Sequence, residues 1–236
     1  FTDVVKFNGQ KLKSETPRYV LLNKPKNYSG RVESGTTTSS VMQLIAAACK
    51  ERIYPIDKLN KSETGLLLFT NDSDLAKKLT DKSQKLKAIY QITLNKNLTQ
   101  TDLEKIREAI KEKFLGKIIQ MPPVKSAVKR ELRPRTIYSF DLFEKLEKDV
   151  LFKVKCEGGT YIRTLCNDLG EYLGCGAHML ELRRTDAGIF NENDLDYPSV
   201  NMYDFNKACE EYQNGNDELL RNMVIPGEIV SRLHPV

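Results

Sequence analysis

Three stretches of this 236-residue chain combine residue types and spacing that could do chemistry. The first is the polar loop Asp57-Lys58-Leu59-Asn60-Lys61-Ser62-Glu63-Thr64, followed by Gly65 and the apolar run Leu66–Phe69. That run has the length of a strand buried on both faces, and Asn71-Asp72 closes it as a turn. A loop so placed presents polar side chains at the lip of a sheet. The second stretch is Gly158-Gly159-Thr160-Tyr161-Ile162-Arg163, which opens a helix. Glycines there let the backbone approach something closely, and a helix N-terminus favours a nearby anion. The third runs from Lys117 to Arg135: Lys117, Lys125, Lys129, Arg130, Arg133 and Arg135 stand against the single acid Glu131. Pro122-Pro123 holds the backbone extended. A basic segment in stiff, non-helical chain suits a surface that tracks phosphates, and it equally suits a merely solvated loop.

Other chemistry has little material. There are only two histidines, His178 and His234, so His-based metal sites and Ser-His-Asp triads are poorly supplied. The five cysteines (Cys49, Cys156, Cys166, Cys175, Cys209) are odd in number and form no C-x-x-C pair. This argues against a metal cluster or a disulfide framework and for an intracellular, reducing compartment. The net charge of +5 permits an anionic partner without demanding one. With 40% hydrophobic and 29% charged residues the composition is that of an ordinary soluble globular protein. No run reaches the roughly 18–20 apolar residues of a membrane span, and the N-terminus has no signal-peptide pattern. The start at Phe1, without Met, reads as a trimmed or partial chain.

The elements that must position these stretches follow from periodicity and punctuation. Strands are predicted at about 19–22, 66–70, 89–94, 137–142, 150–156 and 179–184, preceded by a short strand at Val4–Phe7 and a turn at Asn8-Gly9. Asn23-Lys24-Pro25-Lys26 ends the 19–22 strand; its lysines read as a solvated turn, with phosphate contact as the alternative. Ser39 or Ser40 can cap a helix from Val41 to Lys50, and a short helix is expected from Ser73 to Leu79. Thr101-x-x-Glu104 has the form of a capping box, after which Leu103, Ile106, Ile110 and Phe114 share a helical face. The helix opened at Gly158 should run to about Leu173 and end at Gly174-Cys175-Gly176. Helices at Met202–Tyr212 and Glu218–Met223 precede a proline-bearing tail.

Two sets of segments resemble the pseudouridine synthase superfamily. "YVLLNKPKNY", "CKERIYPIDKLNKSETGLLLFTNDSDLAKKLT" and "IYQITLNKNLT", within residues 18–100, are similar to the RsuA-like branch. Within residues 116–236, "GKIIQMPPVKSAVKRELRPRTIY", "CEGGTYIRTLCNDLGEYLGCGAHMLELRRTDAG" and "LLRNMVIPGE" are similar to the TruB and dyskerin branch, of the archaeal and eukaryotic box H/ACA type. The resemblance implies an α/β fold of α+β type, with a central, mostly antiparallel mixed sheet, surrounding helices and a central active-site cleft. It also implies one catalytic domain over 1–236, in subdomains of approximately 1–115 and 116–236, with neither an S4 nor a PUA domain.

The reaction implied is uridine-to-pseudouridine isomerisation in structured RNA such as rRNA or tRNA. It needs no cofactor and no metal, because a carboxylate can act directly at the sugar–base junction. The target uridine must be extruded and its base held on an aromatic face. By resemblance Tyr90 stacks on that base, Arg163 pairs with the catalytic carboxylate, and Leu182 and Tyr161 line the substrate pocket. Lys125, Lys129 and Arg130 would contact RNA. For Tyr90 a cross-strand packing role is the alternative, and for Arg163 a surface position at a helix start. The family's catalytic Asp falls on Asn60, whose amide has nearly the shape of a carboxylate but no charge and little nucleophilicity. Turnover is therefore expected to be silenced while RNA binding survives. Asp57 stands where the family has Gly and should point elsewhere. A non-catalytic RNA-binding or assembly module is the second reading; a hybrid or designed scaffold is the third. Expected partners are structured RNA and box H/ACA-type proteins, with no membrane, for a monomer that is cytoplasmic or nuclear and nucleolar.

Overall fold

The computed structural model describes residues 6–11, 15–30, 40–80, 88–95, 99–124, 128–146, 149–174 and 176–232. Strands and helices are numbered in chain order. Strand β5 (Thr64–Thr70) is the centre of the packing: Leu67 and Phe69 enter one core and Leu66 and Leu68 a second. Alternate side chains of a strand face opposite ways, so only an unbroken apolar run suits a strand covered on both faces.

Beside β5 lie β3 (Tyr19–Lys24), antiparallel, and β10 (His178–Ala187), parallel. From β10 the sheet continues antiparallel through β6 (Ala88–Asn95), β9 (Asp149–Cys156), β8 (Arg133–Leu146) and β7 (Gly116–Gln120). Two short strands, β4 (Tyr54–Pro55) on β5 and β11 (Phe190–Asn191) on β10, complete nine. β1 (Lys6–Phe7) and β2 (Gln10–Lys11) form a separate hairpin about Asn8-Gly9. The sheet is thus mixed and mostly antiparallel, as expected, and β10 inserts between β5 and β6. One register row runs across it: Lys24, Gly65, Arg184, Tyr90, Val154, Phe140.

Helices cover both faces. α1 (Val41–Leu44), α3 (Gln100–Ala109) and α4 (Ile162–Tyr172) supply Val41, Leu103, Ile106, Ile162, Leu165 and Leu169 to the first core. α2 (Ser73–Thr80) supplies Leu75 and Leu79 to the second, which α7 (Gly227–Ser231) joins through Ile229 and Val230. α5 (Met202–Gln213) and α6 (Glu218–Arg221) match the two expected C-terminal helices, while α7 falls in the tail where none was expected.

Several expectations need correction. The cap of α3 is Thr99 with Asp102, each bonding the other's backbone N–H, not Thr101 with Glu104. The anticipated apolar face survives this two-residue shift: Leu103, Ile106, Ile110 and Phe114 are all buried, the last two in a π-helical turn, Ile110–Phe114. Ser40 does cap α1, but the helix stops at Leu44 instead of reaching Lys50. Beyond Ile45 its would-be face offers only Ala48 and Cys49, both partly exposed, and a short helix without an anchored face does not propagate. Residues 117–120 open the stretch read as stiff, non-helical basic chain; with Gly116 they form β7 and pair with 133–137, a strand that was not predicted there. Lys24 is not a solvated turn residue; it is 1% exposed on the last position of β3. Val4 and Val5 lie outside the described residues.

One contact at the start of β3 gives a pH signature. The Tyr19 hydroxyl donates to Asp72 Oδ2 at 2.8 Å, and burial, then the Asp72 carboxylate, push its pKa from 10.0 to about 12. The folded protein keeps this proton after the unfolded chain has lost it. The contribution to stability is therefore whole below pH 10 and declines as pH rises from 10 towards 12. Urea unfolding of the parent and Tyr19→Phe across this range should show the parent losing stability more steeply. Equal slopes would refute the assignment.

Candidate active site

The β4–β5 loop closes on itself. Glu63 N donates to Asn60 O at 3.0 Å, and the Glu63 carboxylate folds back to accept Asn60 N through Oε2 and Asn60 Nδ2 through Oε1, both at 2.7 Å. Glu63 is 7% exposed, whereas Asn60 faces outward. The buried Leu59 anchors the loop, whose backbone accepts Asn27 N at Lys61 O and Gly30 N at Leu59 O. A side chain on Gly30 would lie 2.4 Å from Leu59 O, so this close approach requires glycine.

Two cations flank the loop from within. Lys24 Nζ donates to the carbonyls of Pro25 and Tyr28; burial pushes its pKa down, and the Glu63 carboxylate pulls it the other way. Arg184 is 3% exposed, with Nε on Leu66 O at 2.6 Å and Nη1 on Asp57 Oδ2 at 2.6 Å. Asp57 is thus turned to β10 and also caps Lys58 N, in keeping with the expectation that it points away from the Asn60 position.

The opposite wall is the start of α4. No side chain caps this helix, and Tyr161 at its N-cap is held by Gln120, whose amide accepts Tyr161 N at 3.0 Å and donates to Tyr161 O at 3.1 Å. Gln120 is 1% exposed, so β7 and the helix start form a rigid joint. Gly159 has φ +77 and its carbonyl accepts Arg135 Nε; the close approach anticipated for these glycines is therefore to a guanidinium. From the first turn of α4, Arg163 Nη2 donates to Ser62 Oγ at 3.1 Å and lies 3.7 Å from Glu63 Oε1. Among the described contacts Arg163 thus meets the loop at Ser62 and Glu63 and not at Asn60. The charge it seeks is on Glu63, since an amide carries none.

Between loop and helix lies a cleft of about 240 Å³, lined by Asp57, Lys58, Leu59, Asn60, Glu63, Pro123, Leu182 and residues 159–163. It brings together four of the residues singled out in the sequence: Asn60, Tyr161, Arg163 and Leu182. Tyr90 sits on β6 opposite Arg184, in the register row that passes Gly65. Lys129 and Arg130 are exposed on the β7–β8 connection, Lys129 with Nζ 3.4 Å from Glu131; they do not line the cleft, although Pro123 of the same connection does. Lys125 lies outside the described residues. Sequence reasoning missed Glu63, Lys24, Gln120 and Arg184. Only Glu63 carried a usable signal, as a carboxylate three positions after Asn60, where a tight turn brings the two side chains together.

With this geometry in hand, comparison with known proteins is informative. Residues 18–176 match the family model for RNA pseudouridylate synthase. The chain belongs to the RNA pseudouridylate synthase family. Residues 163–230 also match the model for the tRNA pseudouridylate synthase B C-terminal domain. A probable tRNA pseudouridine synthase B of Picrophilus torridus is 37% identical over 218 residues, which are 92% of this chain and 58% of that protein. One relative thus runs through both resembling stretches. Its counterpart in Methanothermobacter thermautotrophicus is 49% identical over 130 residues, 55% of this chain and 39% of that one. The chain spans between about two fifths and three fifths of the length of these relatives. Among solved structures it is similar to a chain in the crystal structure of a Cbf5–Nop10–Gar1 complex, with a TM-score of 0.75, 29% identity, and coverage of 91% of this chain and 61% of that one. It is also similar to a chain in an H/ACA RNP bound to a substrate RNA containing 2′-deoxyuridine, with a TM-score of 0.68 and 26% identity over 91% of this chain and 61% of that one.

Proposed function

We propose that the chain is the catalytic domain of an RNA pseudouridine synthase whose cleft takes a uridine from structured RNA, with isomerisation silenced at Asn60. The observation that carries the reading is the convergence of Asn60, Arg163, Leu182 and the uncapped N-terminus of α4 on one cleft. Family membership and the H/ACA neighbours support it. In this reading Leu182 packs against the extruded base, and Tyr90 supplies the stacking face. Tyr161 and Arg163 hold the sugar–phosphate side at the positive end of the helix dipole. Lys129 and Arg130 follow the backbone of the RNA beyond the cleft, and Lys125 is assigned to RNA contact by the resemblance alone. Residue 60 is where a carboxylate would attack, and an amide there leaves binding without chemistry.

We further propose that it works as a monomer, alone or with H/ACA-type protein partners, in the cytoplasm or nucleolus. The free thiols of the described cysteines support a reducing compartment; those of Cys156 and Cys166 are pushed up to about 12 by burial and are inert.

The test is direct. The parent should bind a structured RNA with affinity that falls steeply between roughly 50 and 200 mM salt, and form no pseudouridine in bulk RNA at any pH. Asn60→Asp should form pseudouridine at mildly alkaline pH. Arg163→Glu should weaken RNA binding by about tenfold or more, since it replaces attraction with repulsion at the cleft wall. Activity in the parent would show that the nucleophile is not at position 60, and absence of RNA binding would overturn the reading.

A further inference from the structure

We propose that Glu63 is a positioning residue coupled to residue 60: it supplies the buried negative charge that position 60 lacks, and it requires a neutral, donating side chain there. The inference rests on the preceding reading of the cleft and deepens it. Both Glu63 oxygens are spent on Asn60, one on its backbone N–H and the other on its side-chain amide. An amide meets this demand because Nδ2 donates; a carboxylate cannot donate unless it is protonated.

Among the described residues the groups around Glu63 are few. On its own loop stand Asn60 and Ser62. From α4 comes Arg163, with Nη2 3.7 Å away and its side chain about half exposed. From β3 comes Lys24, buried and acting on Glu63 through its charge. Asp57, the other carboxylate of the loop, is committed to Arg184 on β10. One carboxylate therefore stands between two cations while residue 60 is neutral, so what opposes a second carboxylate at 60 is its hydrogen-bonding distance from Glu63. Restoring a carboxylate at 60 alone would set two carboxyls at hydrogen-bonding distance, and like charges so close do not both ionise near neutrality. One of them keeps its proton, and the pair titrates as a unit.

This makes positions 60 and 63 a linked exchange rather than two independent ones. In the double variant Asn60→Asp/Glu63→Gln the roles reverse: the amide at 63 donates to the carboxylate at 60 and still accepts its backbone N–H. The negative charge then sits at the outward-facing position, within reach of a substrate and still near Arg163.

The decisive measurement is carboxyl-carbon NMR titration of Asn60→Asp, because it reads the coupling whether or not the variant is active. One carboxyl absent from the parent spectrum, or Glu63 itself, should titrate well above the usual carboxylate range, and Glu63→Gln should return the remaining one towards it. If both carboxyls of Asn60→Asp titrate in the ordinary range, the coupling is refuted. The kinetic counterpart is the pH profile of pseudouridine formation. Where the raised titration belongs to residue 60, Asn60→Asp should be about tenfold or more slower at pH 6 than at pH 8, since each unit of raised pKa costs about a factor of ten in ionised carboxylate. Where it belongs to Glu63, residue 60 stays ionised and Asn60→Asp should be as flat over that window as the double variant; a pH profile that contradicts the NMR assignment would overturn the proposal. A raised carboxyl in Asn60→Asp with no pseudouridine from the double variant at any pH would uphold the coupling and sink the reading of the cleft as an isomerase site.

Discussion

Gly65→Ala should cost about 4 kcal/mol of folding stability, a loss reserved for substitutions that force backbone apart. Two independent reasons converge. Gly65 has φ +108, a region that residues bearing a Cβ rarely adopt. A Cβ there would also lie 2.1 Å from Arg184 O and 2.6 Å from Arg184 N, atoms of the parallel neighbour strand with no rotamer to yield. Gly116→Ala separates the two effects, because Gly116 has φ +80 and open space around its would-be Cβ. It should lose only about 1 kcal/mol, the conformational part alone. Urea unfolding of the two variants and the parent checks this: similar losses would show that the approach of β5 to β10 is not tight. The same contact bears on function, since Gly65 directly follows the loop and pairs with both Lys24 and Arg184. Any separation of β5 from β10 would carry Asn60 away from Leu182.

The second large effect is expected at Asp57. Asp57→Ala leaves the buried Arg184 guanidinium with only Leu66 O among its contacts described here, and should destabilise by about 2–3 kcal/mol. The value lies below that of a fully buried pair because the Asp57 side chain is 52% exposed, so water can partly replace it. Arg184→Met should cost less than Asp57→Ala, since it leaves a carboxylate that water can solvate. The double variant should sit near Arg184→Met, giving a coupling of about 2 kcal/mol in a double-mutant cycle. Additive losses would mean the pair contributes nothing. Because Asp57 serves Arg184, Asp57→Asn in an Asn60→Asp background should leave pseudouridine formation within about threefold while lowering stability. A collapse of activity in a folded Asp57→Asn/Asn60→Asp protein would move Asp57 into the chemistry.

The wider framework of the molecule was legible because it is written in local patterns. Leu66–Phe69 could only be a doubly covered strand; Leu103, Ile106, Ile110 and Phe114 could only be one helical face; Gly174 and Gly176, with φ +66 and +64, end α4 as such residues do. Even the misplaced cap of α3 left the buried face unchanged, because apolar spacing, not the terminal residue, decides which side packs. Resemblance then carried Asn60, Arg163, Leu182 and Tyr161 to one cleft, where the fold brings them together.

What the sequence by itself determined is therefore most of the elements (not β7, α7 or the length of α1), their buried faces, the family, and the presence of an amide where a carboxylate is expected. What only the tertiary structure decided is how the charges are distributed among those elements. Lys24 looked like an exposed turn lysine, and becomes buried because β5 and the 25–30 turn close over it. Gln120 looked unremarkable in a basic run, and becomes the clamp on Tyr161 because β7 ends beside α4. Glu63 and Asp57 were two loop acids, and take opposite roles because one turns inward to Asn60 and the other to Arg184 on a strand 127 positions along the chain. A side chain's type and local period fix its preference for water or core, but Coulomb partners are set by distances between segments far apart in sequence, which exist only once the sheet has ordered its strands.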